Sequence, residues 1–130
     1  MNQITVQTNS RTEFIDITDD VQRFAQEQNL DDGIITVFVP HTTAGVTINE
    51  NADPDVTADL ETVLNDMIPW NNGYRHLEGN TAAHVKASMM GSFAQIIVKN
   101  GRLCLGTWQS VYFCEFDGPR SRHVWFKETT

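Results

Sequence analysis

Three histidines sit where a chain commonly presents working groups. His41 follows the apolar run ITVFVP at 35–40, His76 lies in the polar stretch YRHLEGN at 74–80, and His84 lies one turn into the helical pattern NTAAHVKASMMG at 80–91. Neutral imidazoles bind Zn²⁺, and three of them leave a fourth tetrahedral position open to water or substrate, as in a catalytic zinc site. The spacing is not that of an HExxH zinc helix. The expectation of a metal at His41, His76 and His84 therefore rests on their places at a strand end, in a loop and on a helix. The alternative is that each is an ordinary surface or satisfied core histidine.

More polar groups follow His41 directly. Thr42 and Thr43 are small donors, and Asn49, Glu50, Asn51, Asp53 and Asp55 carry hard oxygen atoms that suit Mg²⁺ or Ca²⁺ better than zinc. Helix capping explains Asp53 and the helix dipole explains Asp55. Glu50 is left over, as a ligand, a general base or a partner to a histidine ring. Ser88 stands one turn beyond His84 on the same helix face, whereas Lys86 points elsewhere if the helix is regular. Arg120 and Arg122 flank Ser121 in a turn. Hydroxyls, Lys and Arg gathered near a helix N-terminus would bind an oxyanion or phosphate. In GTWQ (106–109), Gln109 can reach such a site, Gly106 is expected to make a bulge, and Trp108 to pack into a core or subunit contact. There is no phosphate loop and no GxGxxG.

These groups need a scaffold. ITVQT (4–8) and EFIDIT (13–18) read as strands. Thr18 or Asp19 caps a helix whose apolar stripe is Val21, Phe24 and Ala25. GIITVFVP (33–40) is apolar on both faces and β-branched, which predicts a central strand, and GVTI (45–48) predicts another. Asp53 caps and Pro54 opens a second helix through Ile68, with Val56, Leu60, Val63, Leu64 and Met67 at helical spacing. A third helix over 80–91 starts at Asn80 or Thr81 and ends at Gly91. FAQIIVK (93–99), a hairpin at Asn100–Gly101, one long strand over 102–116 bent at Gly106, and HVWFK (123–127) complete the chain. Seven strands or so and three helices predict an α+β fold: a mostly antiparallel sheet or sandwich with the helices packed on one side.

Composition narrows the function. A chain of 130 residues fits one domain. Acidic residues outnumber basic ones 17 to 9 and the basic ones are scattered, which argues against nucleic acid as a partner. Cys104 and Cys114 lie in apolar runs without zinc-finger or CxxC spacing, so both are expected as buried free thiols in a reducing compartment. No signal peptide and no membrane-length apolar run is present, which predicts a cytoplasmic protein without membrane partners.

The blocks PHTTAGVTINENADPDV, HLEGNTAAHVKASMMG and LCLGTWQSVYFCEFDGPRSRHV resemble the YjbQ-like proteins, also called secondary thiamine-phosphate synthases. The resemblance covers nearly the whole chain in order. It implies an α+β subunit assembled as a homotrimer around a threefold axis, and a metal site, usually zinc, at His41, His76 and His84. The matching blocks also take in Asn49, Glu50, Asp53, Asn80, Lys86, Ser88, Thr107, Gln109, Glu115 and Arg120. The implied activity joins an aminopyrimidine diphosphate to a thiazole phosphate and releases diphosphate. A metal ion with Lys86, Arg120 and nearby hydroxyls would stabilise that leaving group, with Mg²⁺ possible on the diphosphate. On this reading Glu50, Lys86 and Arg120 are catalytic, and Thr42, Thr43, Asn49, Ser88 and Gln109 bind a small phosphorylated or anionic substrate. Two other readings fit the same residues: a zinc-dependent hydrolase with Glu50 as base, or a non-catalytic trimer that binds metal or ligand.

Overall fold

A computed structural model describes residues 2–130. The elements in chain order are β1 (Asn2–Gln7), β2 (Glu13–Asp16), α1 (Thr18–Glu27), β3 (Asp32–Phe38), β4 (Ala44–Glu50), α2 (Pro54–Met67), α3 (Thr81–Met90), β5 (Phe93–Lys99), β6 (Arg102–Leu103), β7 (Gln109–Glu115) and β8 (Ser121–Thr129). They form a five-stranded sheet ordered β1-β8-β3-β5-β6 and a three-stranded sheet ordered β2-β7-β4. All the pairings among the described residues are antiparallel. The apolar run of β3 does occupy the centre of the large sheet. Among the described residues no helix is long and apolar enough to cross a membrane.

Two cores share the small sheet. On its inner face Val46, Val111 and Phe113 meet Ile35, Val37, Ile96, Val98, Val124 and Phe126 of the large sheet, and α1 adds Val21, Phe24 and Ala25. On its outer face Tyr112, Cys114 and Phe116 meet Leu64 of α2 and Ala83 and Ala87 of α3. The helices thus divide: α2 and α3 cover the small sheet, while α1 packs into the core between the sheets. This corrects the expectation of three helices on one side. An amphipathic stripe specifies that a helix packs, not which layer it joins. Of the stripe expected on α2 only Leu64 is buried, and Val63 and Met67 are exposed.

The run 102–116 is two strands rather than one bent strand. Residues Arg102–Leu103 finish the large sheet, and Gln109–Glu115 begin again in the small one. Between them the Gln109 amide donates to the Gly106 carbonyl at 3.0 Å and the Gly106 amide donates to Gln109 Oε1 at 2.8 Å, which closes a turn where a bulge was expected. Cys104 is exposed in this crossover and only Cys114 is a buried thiol. Trp108 is 63% exposed, so no core of this chain covers it.

The caps follow local chemistry. Asp53 accepts from the Asp55 amide at 2.9 Å with Pro54 opening α2. At α1 it is Asp16, not Thr18 or Asp19, that accepts from the Thr18 amide at 2.9 Å. Gly45 lets α3 approach β4 closely, since a Cβ there would lie 2.7 Å from the Gly91 carbonyl. Ala83 and Ala87 on the facing helix keep that contact thin.

One polar interaction crosses the inner core. Glu115 of β7 and Arg122 of β8 are 0% and 3% exposed. Arg122 Nη2 and Nε donate to Glu115 Oε2 and Oε1 at 2.5 and 2.9 Å. The Thr8 hydroxyl and Asp117 amide add bonds at 2.8 and 3.0 Å. Burial alone would raise the Glu115 pKa, but the hydrogen bonds from Arg122, Asp117 and Thr8, with the Arg122 charge, outweigh it and hold the carboxyl below its ordinary value. A depressed carboxyl contributes stability that is fully present above its unfolded pKa and lost as pH falls through the folded one. Glu115→Gln leaves Arg122 buried without its counter-charge and should cost about 3–5 kcal/mol in denaturant unfolding. Below about pH 4 the wild-type advantage should shrink. An equal loss at every pH would contradict the ionised pair.

Candidate functional site

A cavity of about 650 Å³ opens beside this ion pair. The β3–β4 turn supplies His41, Thr42 and Thr43, the loop before α3 supplies His76 and Glu78, and α3 and its N-cap supply His84 and Asn80. The turn after β7 supplies Asp117 and Arg120. The three histidines singled out in the sequence therefore line one cavity.

Local structure explains the meeting. Gly79 has φ +82°, a left-handed turn that folds the loop over the start of α3. His76 and His84 then stand edge to face with ring centroids 5.4 Å apart. Across the cavity Arg122 holds the His41 turn by donating from Nη2 to the Thr43 hydroxyl at 2.8 Å. His41 Nε2 accepts from the His123 amide at 2.9 Å, and the two imidazoles stack with centroids 6.3 Å apart. Burial first, and the Arg122 charge next, lower the His41 pKa. The ring is thus neutral at pH 7. With the Nε2 lone pair committed to an amide, Nδ1 carries the proton, and His41 acts as a donor.

Asp117 organises the opposite wall. It accepts from Asn80 Nδ2 at 2.9 Å and from Arg120 Nη2 at 3.2 Å. Its carbonyl also accepts from Arg120 Nε at 2.9 Å. The guanidinium is half-exposed with donors to spare. Among the described residues Asn80 Oδ1 is buried without a hydrogen-bond partner, an acceptor waiting for a donor. Asn80 makes no side-chain cap on α3: its Nδ2 is bonded to Asp117 and its Oδ1 meets no helix amide.

Other expected site residues lie elsewhere. Glu50 and Asn49 end β4, whose first residue, Ala44, is next to the histidine turn. Six residue steps along a strand separate Ala44 from Glu50 by roughly 20 Å. Gln109 is the register partner of Glu50, so antiparallel pairing carries it to the same remote edge. Asn49 Oδ1 is taken by the Glu50 amide at 2.7 Å. Lys86 is about 200° around α3 from His84 and its amine donates to Asn65 Oδ1 on α2 at 2.5 Å. Burial lowers its pKa, Glu61 opposes that shift and Arg11 adds to it. Ser88 lines a hollow next to the cavity together with His41 and His84, but its hydroxyl bonds the His84 carbonyl at 2.9 Å. Thr43 is buried as a structural acceptor, and Thr42 remains on the cavity wall.

Glu78 and Asp117 carry no motif and were not expected here. Arg122 was read as part of a turn and proves to open β8. One signal was present for the ion pair: Glu115 is the only charge in the apolar run VYFCEF (111–116), and an acid in such a run requires a buried cation.

The donor set bears on a metal. Among the described residues no three His, Cys, Asp or Glu side chains stand together closely enough to hold an ion. His76 and His84 come nearest, with neither ring hydrogen-bonded among the described residues, while the His41 tautomer has no lone pair free for a ligand bond. Imidazole is a donor type that suits zinc, and His76 and His84 are the residues that would hold such an ion.

A two-sheet α+β chain with an imidazole-lined cavity is the class defined by this fold. The family model for the UPF0047 protein YjbQ-like proteins matches residues 2–130, and the chain belongs to that family. It is 51% identical over 128 residues to the UPF0047 protein YugU of Bacillus subtilis, covering 98% of this chain and 97% of that one. It is 49% identical over 122 residues to the UPF0047 protein MJ1081 of Methanocaldococcus jannaschii, with 94% and 88% covered. A crystal structure of an uncharacterized conserved protein of the yjbq/upf0047 family from Clostridium acetobutylicum superposes with TM-score 0.98 at 52% identity, covering 99% and 100% of the two chains.

The His41 tautomer is testable by ¹⁵N NMR. The ring should titrate below the ordinary value of 6.5 and show an unprotonated Nε2 at neutral pH. An Nε2–H tautomer, or a midpoint above that value, would contradict the geometry.

Proposed function

We propose that the chain is a metal-dependent enzyme acting on a small phosphorylated substrate, with thiamine-phosphate synthesis as its reaction. The observation that carries this reading is the meeting of His41, His76 and His84 with Arg120 on one cavity. His76 and His84 would hold a divalent ion, zinc by donor type, or Mg²⁺ where the diphosphate supplies the remaining oxygen ligands. Bound there, the ion would supply positive charge for a departing diphosphate.

The protein's own groups divide the remaining work. Arg120, braced twice on Asp117, offers its outer N–H groups to a phosphate. Thr42 and the His41 Nδ1–H add donors. Asn80 Oδ1 accepts from an amino group, as an aminopyrimidine would present. In the step itself the C–O bond between the pyrimidine methylene and diphosphate breaks, and its electron pair leaves with diphosphate. The thiazole nitrogen lone pair forms the new C–N bond and becomes the thiazolium. No oxidant or net proton is required. Glu50, Lys86, Asn49 and Gln109 have no part in this cavity.

A homotrimer belongs to the same reading. The outer face of the large sheet carries Ile34, Phe38, Phe93 and Ile97, all exposed. Ile34 pairs with Ile97 and Phe38 with Phe93 across β3 and β5, and Phe38 stacks on Trp125 at 5.8 Å. A central strand that is apolar on both faces is satisfied on one face only, and further copies of the chain would cover the other. Phe38 also lines the cavity, so such a contact would border the site.

Mass spectrometry of chelator-free protein should find about one zinc per chain, lost in His76→Ala and His84→Ala and kept in His41→Ala. Light scattering of the same sample should give a trimer. Arg120→Gln should lower turnover of the two phosphorylated precursors about a hundredfold. Metal retained in the His84 variant would sink the metal assignment, and a monomer would sink the trimer. Zinc without precursor turnover would remove the transferase, favouring a hydrolase if esters or amides react and a binding protein if nothing does.

A further inference from the structure

α3 presents one stripe to a hollow beside the histidine cavity. His84, Ala87, Ser88 and Gly91 stand at i, i+3, i+4 and i+7, which is one face of a helix. All four line a space of about 480 Å³, and Ala44, the first residue of β4, lines it with them. The hollow and the cavity share His41, Thr42, His84 and Ser92, so the two spaces adjoin along those side chains.

The hollow is built before anything enters it. The link from α3 to β5 is pinned twice. The Gly91 carbonyl accepts from the Val46 amide at 3.1 Å, and the Ser92 carbonyl accepts from the Val39 amide at 2.7 Å. Gly91 has φ +96°, a conformation that favours a residue without Cβ. A Cβ there would meet no atom within 4 Å, so the space beside it is open. Ala44 and Ala87 are buried and short, and they give the hollow its depth.

The two spaces differ in charge. Glu78, Asp117, Arg120 and Arg122 line the cavity. Among the described residues no Lys, Arg, Asp or Glu lines the hollow. Its polar groups are the two shared imidazoles and the hydroxyls of Thr42, Ser88 and Ser92. The Ser88 donor is spent on the His84 carbonyl at 2.9 Å, which leaves its lone pairs as acceptors. A concave space of this lining suits an uncharged ring with a few polar atoms, whereas a phosphate would find no cation there.

We propose that the hollow is the subsite of the second reactant, the heteroaromatic ring whose nitrogen attacks, an inference that rests on the transferase reading. In that reaction the thiazole nitrogen gives its lone pair to the pyrimidine methylene carbon, the C–O bond to diphosphate breaks, and its electron pair leaves with diphosphate. The ring nitrogen thereby gains a positive charge. The guanidinium groups of the cavity would oppose that change. The hollow has none, and the Ser88 lone pairs favour it. Approach from the hollow, past His41 and His84, also keeps the nucleophile apart from a leaving group held at Arg120. Thr42 and Ser92 line both spaces and give the phosphate arm of the thiazole a polar path to the cavity. Ser88 is then a specificity-determining residue for the attacking ring.

The test is Ser88→Leu. Ser88 is exposed, and its one hydrogen bond among the described residues is to its own helix. Leu is the better helix former, so the variant keeps the fold while its side chain fills the hollow. KM for the thiazole phosphate should rise about tenfold or more, with KM for the aminopyrimidine diphosphate and the metal content unchanged. A second readout needs no turnover. The thiazole phosphate alone should shift the methyl ¹H–¹³C signals of Ala44 and Ala87 in the wild type and not in the variant, and inorganic phosphate should leave them in place. Methyl shifts without turnover would remove the reaction and keep the ring subsite. Turnover with an unchanged thiazole KM in the variant, or with both KM values raised equally, would overturn the subsite. Methyl signals that ignore the thiazole phosphate, or that answer inorganic phosphate equally, would overturn it too.

Discussion

The buried pair of Glu115 and Arg122 is the interaction on which the rest depends. It joins a strand of the small sheet to a strand of the large one, inside the core that both sheets share. Two charges taken out of water are tolerated only when every remaining donor and acceptor is met. Here Thr8 and the Asp117 amide complete the carboxylate, and Thr43 takes the outward side of the guanidinium. The Thr43 contact reaches into the turn that carries His41. The Asp117 contact reaches into the turn that carries Arg120. One ion pair thus sets two walls of the cavity, and the histidine between them has its pKa lowered first by burial and next by the Arg122 charge.

The third wall depends on how closely α3 can lie on β4. Gly45, Ala83 and Ala87 remove the side-chain volume that would hold helix and strand apart. The helix then presents His84 to the cavity. Helical periodicity turns Lys86 toward α2. Two residues that are nearly adjacent in sequence thereby face different neighbours, His84 the cavity and Lys86 the Asn65 side chain of α2.

Much of this was legible where the signal is local. Asp53–Pro54 announces the start of α2 through a side chain and a ring that act within two residues, and it starts there. The stripe Val21, Phe24 and Ala25 buries as its spacing demands. The β-branched run of β3 falls at the centre of its sheet. His41, His76 and His84 were readable as candidates from their places at a strand end, in a loop and on a helix, but their meeting on one cavity was implied by the family resemblance rather than by spacing. Pairing between distant strands was not. Glu50 follows His41 closely in the chain, yet β4 carries it to the opposite edge, where it meets Gln109. Register of that kind is set by which face each strand buries and by contacts remote in sequence. The change of sheet within 102–116 is hidden for the same reason, since both halves read as strand. Lys86 is the instructive case: the family resemblance implies a catalytic role, whereas helical phase turns it away from His84 and onto Asn65.

On the proposed reading one cavity is the working site, and His76 and His84 would hold its ion. The most direct measurement is anomalous scattering at the zinc edge from crystals grown with zinc. The proposed metal site predicts a single strong peak within bonding distance of His76 and His84, with Arg120 facing it across the cavity and His41 still bonded to the His123 amide. A peak at the acidic 49–55 turn, a peak bonded to His41 with that amide contact broken, or no peak at the pair would contradict it.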